Sequence, residues 1–351
     1  MHTELYTFAK QTLIDLIRIP SYSKSEDKTA DLLQHIIESY SIPVSRIGNN
    51  IIARSATPSH KPCVLLNSHH DTVKPVAGWT TNPHEPIIDN EKIIGLGSND
   101  AGAPLVCLLA TFIYFCKNPH NVYDFLFIAS AEEEISGLQG IESVLPHIEP
   151  IEFGIVGEPT NMRMAIAEKG LLVLDCKSVG IAGHAAHNTG ENAIYKAITD
   201  IEWFKTFIFP KQSELLGPVK MTVTGIQAGI QHNIIPAECT FMVDIRTNEL
   251  YTNQEVYEIV KQHVQCEVTP RSFRLQSSYI LPQHMLVESA KQLNIELFGS
   301  PTMSDQACMR NFPTVKIGPG DTMRSHTADE FIYESEIEQG IDVYIQLLLS
   351  L

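Results

Sequence analysis

Three carboxylates stand in a row at Glu132, Glu133 and Glu134, directly behind the apolar run of residues 122–130. Such a run reads as a buried strand. Acids at the end of a core strand are either a solvated turn or groups that hold a metal or move a proton. Other apolar runs end in the same manner. Residues 63–67 are followed by Ser68-His69-His70-Asp71, residues 153–157 by Glu158-Pro159-Thr160, and residues 314–318 by a loop containing His326. Asp100 lies just ahead of the apolar stretch 101–116.

Imidazole and carboxylate together suit Zn²⁺ or a neighbour such as Co²⁺ or Mn²⁺, whereas a calcium site would need no histidine. A structural zinc site would favour cysteine, and none of the seven cysteines lies in these loops. Two histidines with three or four carboxylates exceed what one tetrahedral ion uses. Two ions sharing a carboxylate, about 3.5–4 Å apart, fit better.

Short apolar runs without alternation suit central strands covered on both faces by helices. In such open α/β sheets, sites form at the carboxyl ends of the strands, which is where these groups fall. The run 101–116 is short for a membrane span and reads as a core helix. The N-terminal residues 1–19 read as an amphipathic helix, without the apolar core of a signal peptide.

From about residue 168 the pattern changes. Strands at 171–180, 219–229, 238–247 and 266–273 and helices at 191–209 and 253–265 follow in the order βαββαβ, a ferredoxin-like arrangement. The expected fold class is therefore α/β. A mixed-sheet catalytic domain (1–167 and 277–351) is interrupted by an inserted α+β domain (168–276).

The chain has 351 residues and a formal net charge of −16, which repels phosphate backbones and argues against a nucleic-acid partner. The cysteines are odd in number and form no CxxC pair, as in a reduced cytoplasmic compartment. A dinucleotide fingerprint needs a third glycine that the GLGSND stretch lacks, so a nicotinamide-dependent oxidoreductase is disfavoured.

The motifs SHHDTV, GLGSND, SAEEEISG, VGEPT, GIAGHAAHN, HNIIPAECTFMVDIR and SHTADEF stand in the order and approximate spacing of the M20 metallopeptidases. The resemblance covers nearly the whole chain. Within the family it is nearest the deacylases of N-acetylornithine and N-succinyl-diaminopimelate. It implies a dinuclear zinc domain carrying an inserted dimerisation domain. His69 would bind the first zinc with Asp71 orienting it, and Asp100 would bridge the ions. Glu158 would complete the first site, and Glu134 and His326 the second. Glu133 would be the general base. His184 would reach a partner subunit's site and stabilise the oxyanion, while Asn233 and Arg246 would contact substrate. A cis peptide at Asp100–Ala101 is also implied.

The sequence departs from the family pattern at Gly102, where a lysine is frequent. Its Glu-Glu-Glu run and His69-His70 pair each leave two registers open. The implied activity is removal of the acyl group from an N-acyl amino acid by a cytoplasmic homodimer with two Zn²⁺, with Co²⁺ or Mn²⁺ as substitutes. N2-acetylornithine, in arginine biosynthesis, is the leading substrate. Desuccinylation of succinyl-ornithine or succinyl-diaminopimelate, N-acetyl-lysine deacetylation, and dipeptidase or aminoacylase action are alternatives within the same chemistry. A metal-binding scaffold without catalysis would lack a ligand or the base, and none is missing.

Overall fold

The computed structural model describes residues 2–55, 60–187 and 189–351. The chain divides into two compact units: Met1–Ile166 with Tyr279–Phe298 and Ser304–Leu351, and Ala167–Ser278 with Gly299–Met303.

The first unit is built on a mixed sheet. Its strands run Val44–Ile47, Asn50–Arg54, Asp124–Ser130, Cys63–His69, Ile151–Val156, Thr314–Lys316 and Met164–Glu168 from one side. Cys63–His69 pairs in parallel with both Asp124–Ser130 and Ile151–Val156, and Thr314–Lys316 continues the parallel set. Every residue of Cys63–His69 and of Asp124–Ser130 is buried. This explains the apolar stretches 63–66 and 125–129 within them, because neither face meets water.

In register, His69 lies opposite Ser130. The chain therefore leaves both strands at one end of the sheet, with His69 and the Glu132–Glu134 run side by side. The helix Ala103–Lys117 is apolar and long enough with its preceding turn to pass for a membrane span, yet it is packed inside the fold, with Leu105, Leu109 and Phe112 fully buried. It serves as the core helix expected from sequence.

Several elements carry no strong apolar run and were not anticipated. The helix Asp27–Ser39 buries only Thr29, Ala30, Leu33 and Ile37. The strands Ile87–Asp89, Lys92–Ile94 and Phe331–Tyr333 form a separate antiparallel sheet, mostly exposed or half-buried. That sheet brings residue 330 against the loop that leads to Asp100.

The second unit holds an antiparallel sheet in the order Lys220–Ala228, Glu238–Thr247, Gly170–Val179, Glu267–Pro270, with helices Ala193–Thr206 and Asn253–His263. This is the βαββαβ arrangement. Gly170–Val179 and Glu238–Thr247 alternate buried and more exposed positions, the period of a sheet with one covered face. Leu172, Leu174, Phe204, Phe241, Val243, Val256 and Val260 make its core. Both helices start on side-chain caps: Asn192 accepts from the Ile194 amide, and Thr252 and Glu255 cap each other reciprocally.

Candidate metal centre and its surroundings

His69 is 1% exposed. Its Nδ1 donates to the Asp71 carbonyl oxygen at 2.9 Å. A carbonyl only accepts, so this bond puts a proton on Nδ1 and makes Nε2 the nitrogen that would serve as a ligand. Nε2 faces Asp100 Oδ1 at 3.3 Å, Glu158 Oε1 at 3.8 Å and Glu133 Oε2 at 3.9 Å. On the other side, His326 Nε2 lies 2.9 Å from Glu134 Oε2 and 3.5 Å from Asp100 Oδ2. The two oxygens of Asp100 thus face two different imidazoles. Ligand atoms of His69, Asp100 and Glu134 fall within 4.8 Å of one another, as do those of His69, Glu133 and Glu158.

This donor set fits two ions. Burial pushes the Glu158 pKa up to about 8, with Asp100 and Glu134 adding to the shift and His69 opposing it. Burial likewise lifts Glu133 well above the carboxylate range, helped by Glu158, Asp305 and Glu134. Burial opposes a charge on His69, but hydrogen bonding to Asp100 and Asp71 outweighs it and holds the ring well above its usual range. Hydrogen bonding to Glu134 raises His326 to about 9. Half-buried carboxylates crowded in this way are short of positive charge even with Lys316 nearby, and divalent cations would supply it.

Geometry distinguishes the residues within each of the two open registers. Both ring nitrogens of His70 are engaged, with Thr29 Oγ1 at 2.9 Å and the Asn49 carbonyl at 2.9 Å. Burial lowers its pKa to about 4, so the ring is neutral and inward-facing rather than a ligand. Glu132 has φ +54 and its amide donates to Glu26. Its carboxylate packs on Gly137, where an added Cβ would lie 1.9 Å from Oε2. Glu132 is therefore a brace for the turn, and Glu133 and Glu134 are the two acids that face the histidines.

Asp71 receives the amides of Glu133 at 3.0 Å and Glu134 at 3.3 Å, and the Ser23 hydroxyl at 2.7 Å. The Asp100–Ala101 peptide is cis. At Gly102, the position of the family's frequent lysine, a Cβ would meet the Gly97 carbonyl oxygen at 2.2 Å. The close turn explains the glycine.

His184, Asn233 and Arg246 belong to the second unit. The Ala186 amide donates to His184 Nδ1 at 3.1 Å, which leaves a hydrogen on Nε2 of the neutral ring. Asn233 lies beside it, its carbonyl accepting from Ala185. Arg246 is gripped by Asp244 through Nε and a terminal nitrogen, at 2.9 and 3.1 Å.

Sequence reasoning did not find two further buried acids. Asp305 accepts from the Ser130 hydroxyl at 2.5 Å, and burial raises its pKa to about 6. Glu330 is 2% exposed and sits against the Asp100 loop. Single acids in polar stretches carry no spacing signal. Only the quoted SHTADEF motif, which contains Glu330, held a trace of it.

Residues 65–350 match peptidase family M20/M25/M40. The LysW-lysine/LysW-ornithine hydrolase of Saccharolobus solfataricus is 27% identical over 351 residues, covering 96% of this chain and 94% of that protein. The succinyl-diaminopimelate desuccinylase of Rickettsia bellii is 28% identical, covering 83% and 82%. Among solved structures, a tripeptidase from Staphylococcus aureus aligns with a TM-score of 0.79 at 18% identity, over 98% of both chains. A dinuclear metal-binding M20 peptidase of Bacillus subtilis aligns at 0.76 and 16%, over 99% of this chain and 98% of that one. With the match spanning most of its length and the acids and histidines gathered at the strand ends, the chain belongs to peptidase family M20/M25/M40 and is a metal-dependent amide hydrolase.

Proposed function

We propose that the chain removes the acyl group from an N-acyl diamino acid, with N2-acetylornithine as the leading substrate and ornithine as the product that would enter arginine biosynthesis. The observation that carries the reading is Asp100, whose oxygens stand 3.3 Å from His69 and 3.5 Å from His326. His69, Asp100 and Glu158 would hold one ion and Asp100, Glu134 and His326 a second, Zn²⁺ first and Co²⁺ or Mn²⁺ as substitutes. When bound, the ions lower the pKa of a water and polarise the amide carbonyl.

The chain's own groups do the rest. Glu133, with its pKa lifted by burial, takes a proton from the attacking water and returns it to the departing amine. Asp71 fixes the His69 ring and the Glu133 amide. The Nε2–H of His184, supplied by the second copy of a homodimer, would donate to the developing oxyanion. Arg246, which Asp244 holds through Nε and one terminal nitrogen, would with Asn233 offer its remaining donors to the substrate carboxylate.

Two curated relatives are named for diamino acid conjugates, succinyl-diaminopimelate and LysW-lysine/LysW-ornithine, which supports a diamino acid at the amine end. Those names also favour desuccinylation as the second reading. A succinyl group would need an extra cation. Four cations are candidates for it, Lys74, Arg163, Arg310 and Arg324, of which Arg163 is paired with Glu296 and Arg324 with Glu336. All seven cysteines are free thiols, in keeping with a cytoplasmic location.

Amine release tests the reading. The panel is N-acetyl- and N-succinyl-ornithine, N-acetyl-lysine, succinyl-diaminopimelate and two dipeptides, each with and without chelator. Chelator-sensitive preference for N2-acetylornithine is expected. Preference for a dipeptide would overturn the substrate class.

A further inference from the structure

The Asp100 loop is held from inside by a carboxyl group that accepts from its backbone amides. Glu330 Oε1 accepts the amides of Asn99 at 2.8 Å and Asp100 at 2.9 Å, and Oε2 accepts that of Gly97 at 3.1 Å. The loop can point three N–H groups at one spot because Gly97 has φ +75, where a Cβ would also strike Thr72 Cγ2 at 2.6 Å. Converging backbone amides of this kind form a cradle for acceptor oxygens, and here the Glu330 carboxyl fills it.

Glu330 is itself fixed. Its carbonyl accepts from Gly95, and the strand that follows it, Phe331–Tyr333, pairs with Lys92–Ile94. The Asn99 side chain forms a second tie in the same direction. Its oxygen accepts from the Asp321 amide at 3.0 Å, and its nitrogen donates to the Asp321 carbonyl at 3.1 Å and the Ser325 hydroxyl at 3.3 Å. The segment 321–330 contains His326. Two staples, one through Glu330 and one through Asn99, therefore join the segment carrying Asp100 to the segment carrying His326.

We infer that Glu330 is a positioning residue that sets Asp100 against His326 and so builds the second metal site before any ion arrives. The inference rests on the dinuclear reading above. It is specific because the two sites depend on the staple unequally. The second site draws two of its three ligands, Asp100 and His326, from the stapled segments. The first draws only Asp100 from them, while His69 is held by Asp71 and Glu158 follows the strand Ile151–Val156. Glu330→Gln keeps the size but replaces one acceptor oxygen with a donor. At least one loop amide then loses its partner, and the loop shifts.

The test titrates Co²⁺ into the chelated full-length protein, by calorimetry and by the visible absorption of the bound ion. The wild-type protein is expected to take up two ions. Glu330→Gln is expected to keep the first within a few-fold and to bind the second about tenfold or more weakly, the scale on which partners of metal ligands act. A merely structural role would weaken both sites alike and would not single out one absorption component. Should Glu330→Gln fail to fold, Asn99→Ala removes the other staple and must show the same selective loss. Equal weakening of both sites, or none, overturns the inference. A wild-type protein that binds fewer than two ions overturns the dinuclear reading instead.

Discussion

Asp71 accepts the backbone amide of Glu133 at 3.0 Å while its carboxylate lies 3.5 Å from His69 Nδ1. One buried side chain thus sets both the ring that would bind an ion and the turn that carries the proposed base. Asp71→Asn keeps the volume but exchanges one oxygen for a donor that faces amides. We expect metal affinity to fall by about 10–100-fold and turnover to fall with it. Calorimetric metal titration beside steady-state kinetics checks this, and unchanged affinity would remove Asp71 from the role.

Glu133 has the half-buried, acid-crowded setting of a base that works near neutral pH. Glu133→Gln should retain both ions by elemental analysis and lose about 10²–10⁴ in kcat. Substantial residual turnover would move the proton-carrying role to another group.

Metal binding should release protons at neutral pH. Glu158 stands at about 8 and His326 at about 9 in the metal-free chain, so both carry protons at pH 7. Both must lose them to act as ligands. Affinity should therefore climb with pH until about 9 and then level off. Both pKa values are raised by folding, so their contribution to the metal-free fold is present at acid pH and lost as pH rises through about 8 to 9. Titration at pH 7 in buffers of different ionisation enthalpy reads the protons directly. No release would contradict the assigned environments.

His184 is placed to donate from Nε2. His184→Ala should keep metal content and lose turnover. If the histidine acts across a dimer, mixing His184→Ala with Glu133→Gln protein should restore activity that neither variant shows, because a mixed dimer contains one intact site. A mixture as inactive as its parents would contradict action between subunits.

The core of the fold was legible because strands covered on both faces must be apolar through most of their length, as residues 63–66 and 125–129 are. Their carboxyl ends then pointed to His69 and the glutamates. The register within Glu132–Glu134 was not legible. It is set by the positive φ at Glu132 and the closeness of Gly137, which depend on packing. His70 looked as good a ligand as His69 until Thr29 and Asn49 were seen to occupy its nitrogens. Glu330 lay inside the SHTADEF motif, but its role was not legible, because its partners are backbone amides and those have no sequence signature.

The most direct test of the central claim is reconstitution. Metal is stripped from the protein, Zn²⁺ is returned in measured equivalents, and release of ornithine from N2-acetylornithine is followed at each step. No turnover is expected without metal, with a rise that is complete at two equivalents. Full turnover in the stripped protein would contradict the central claim.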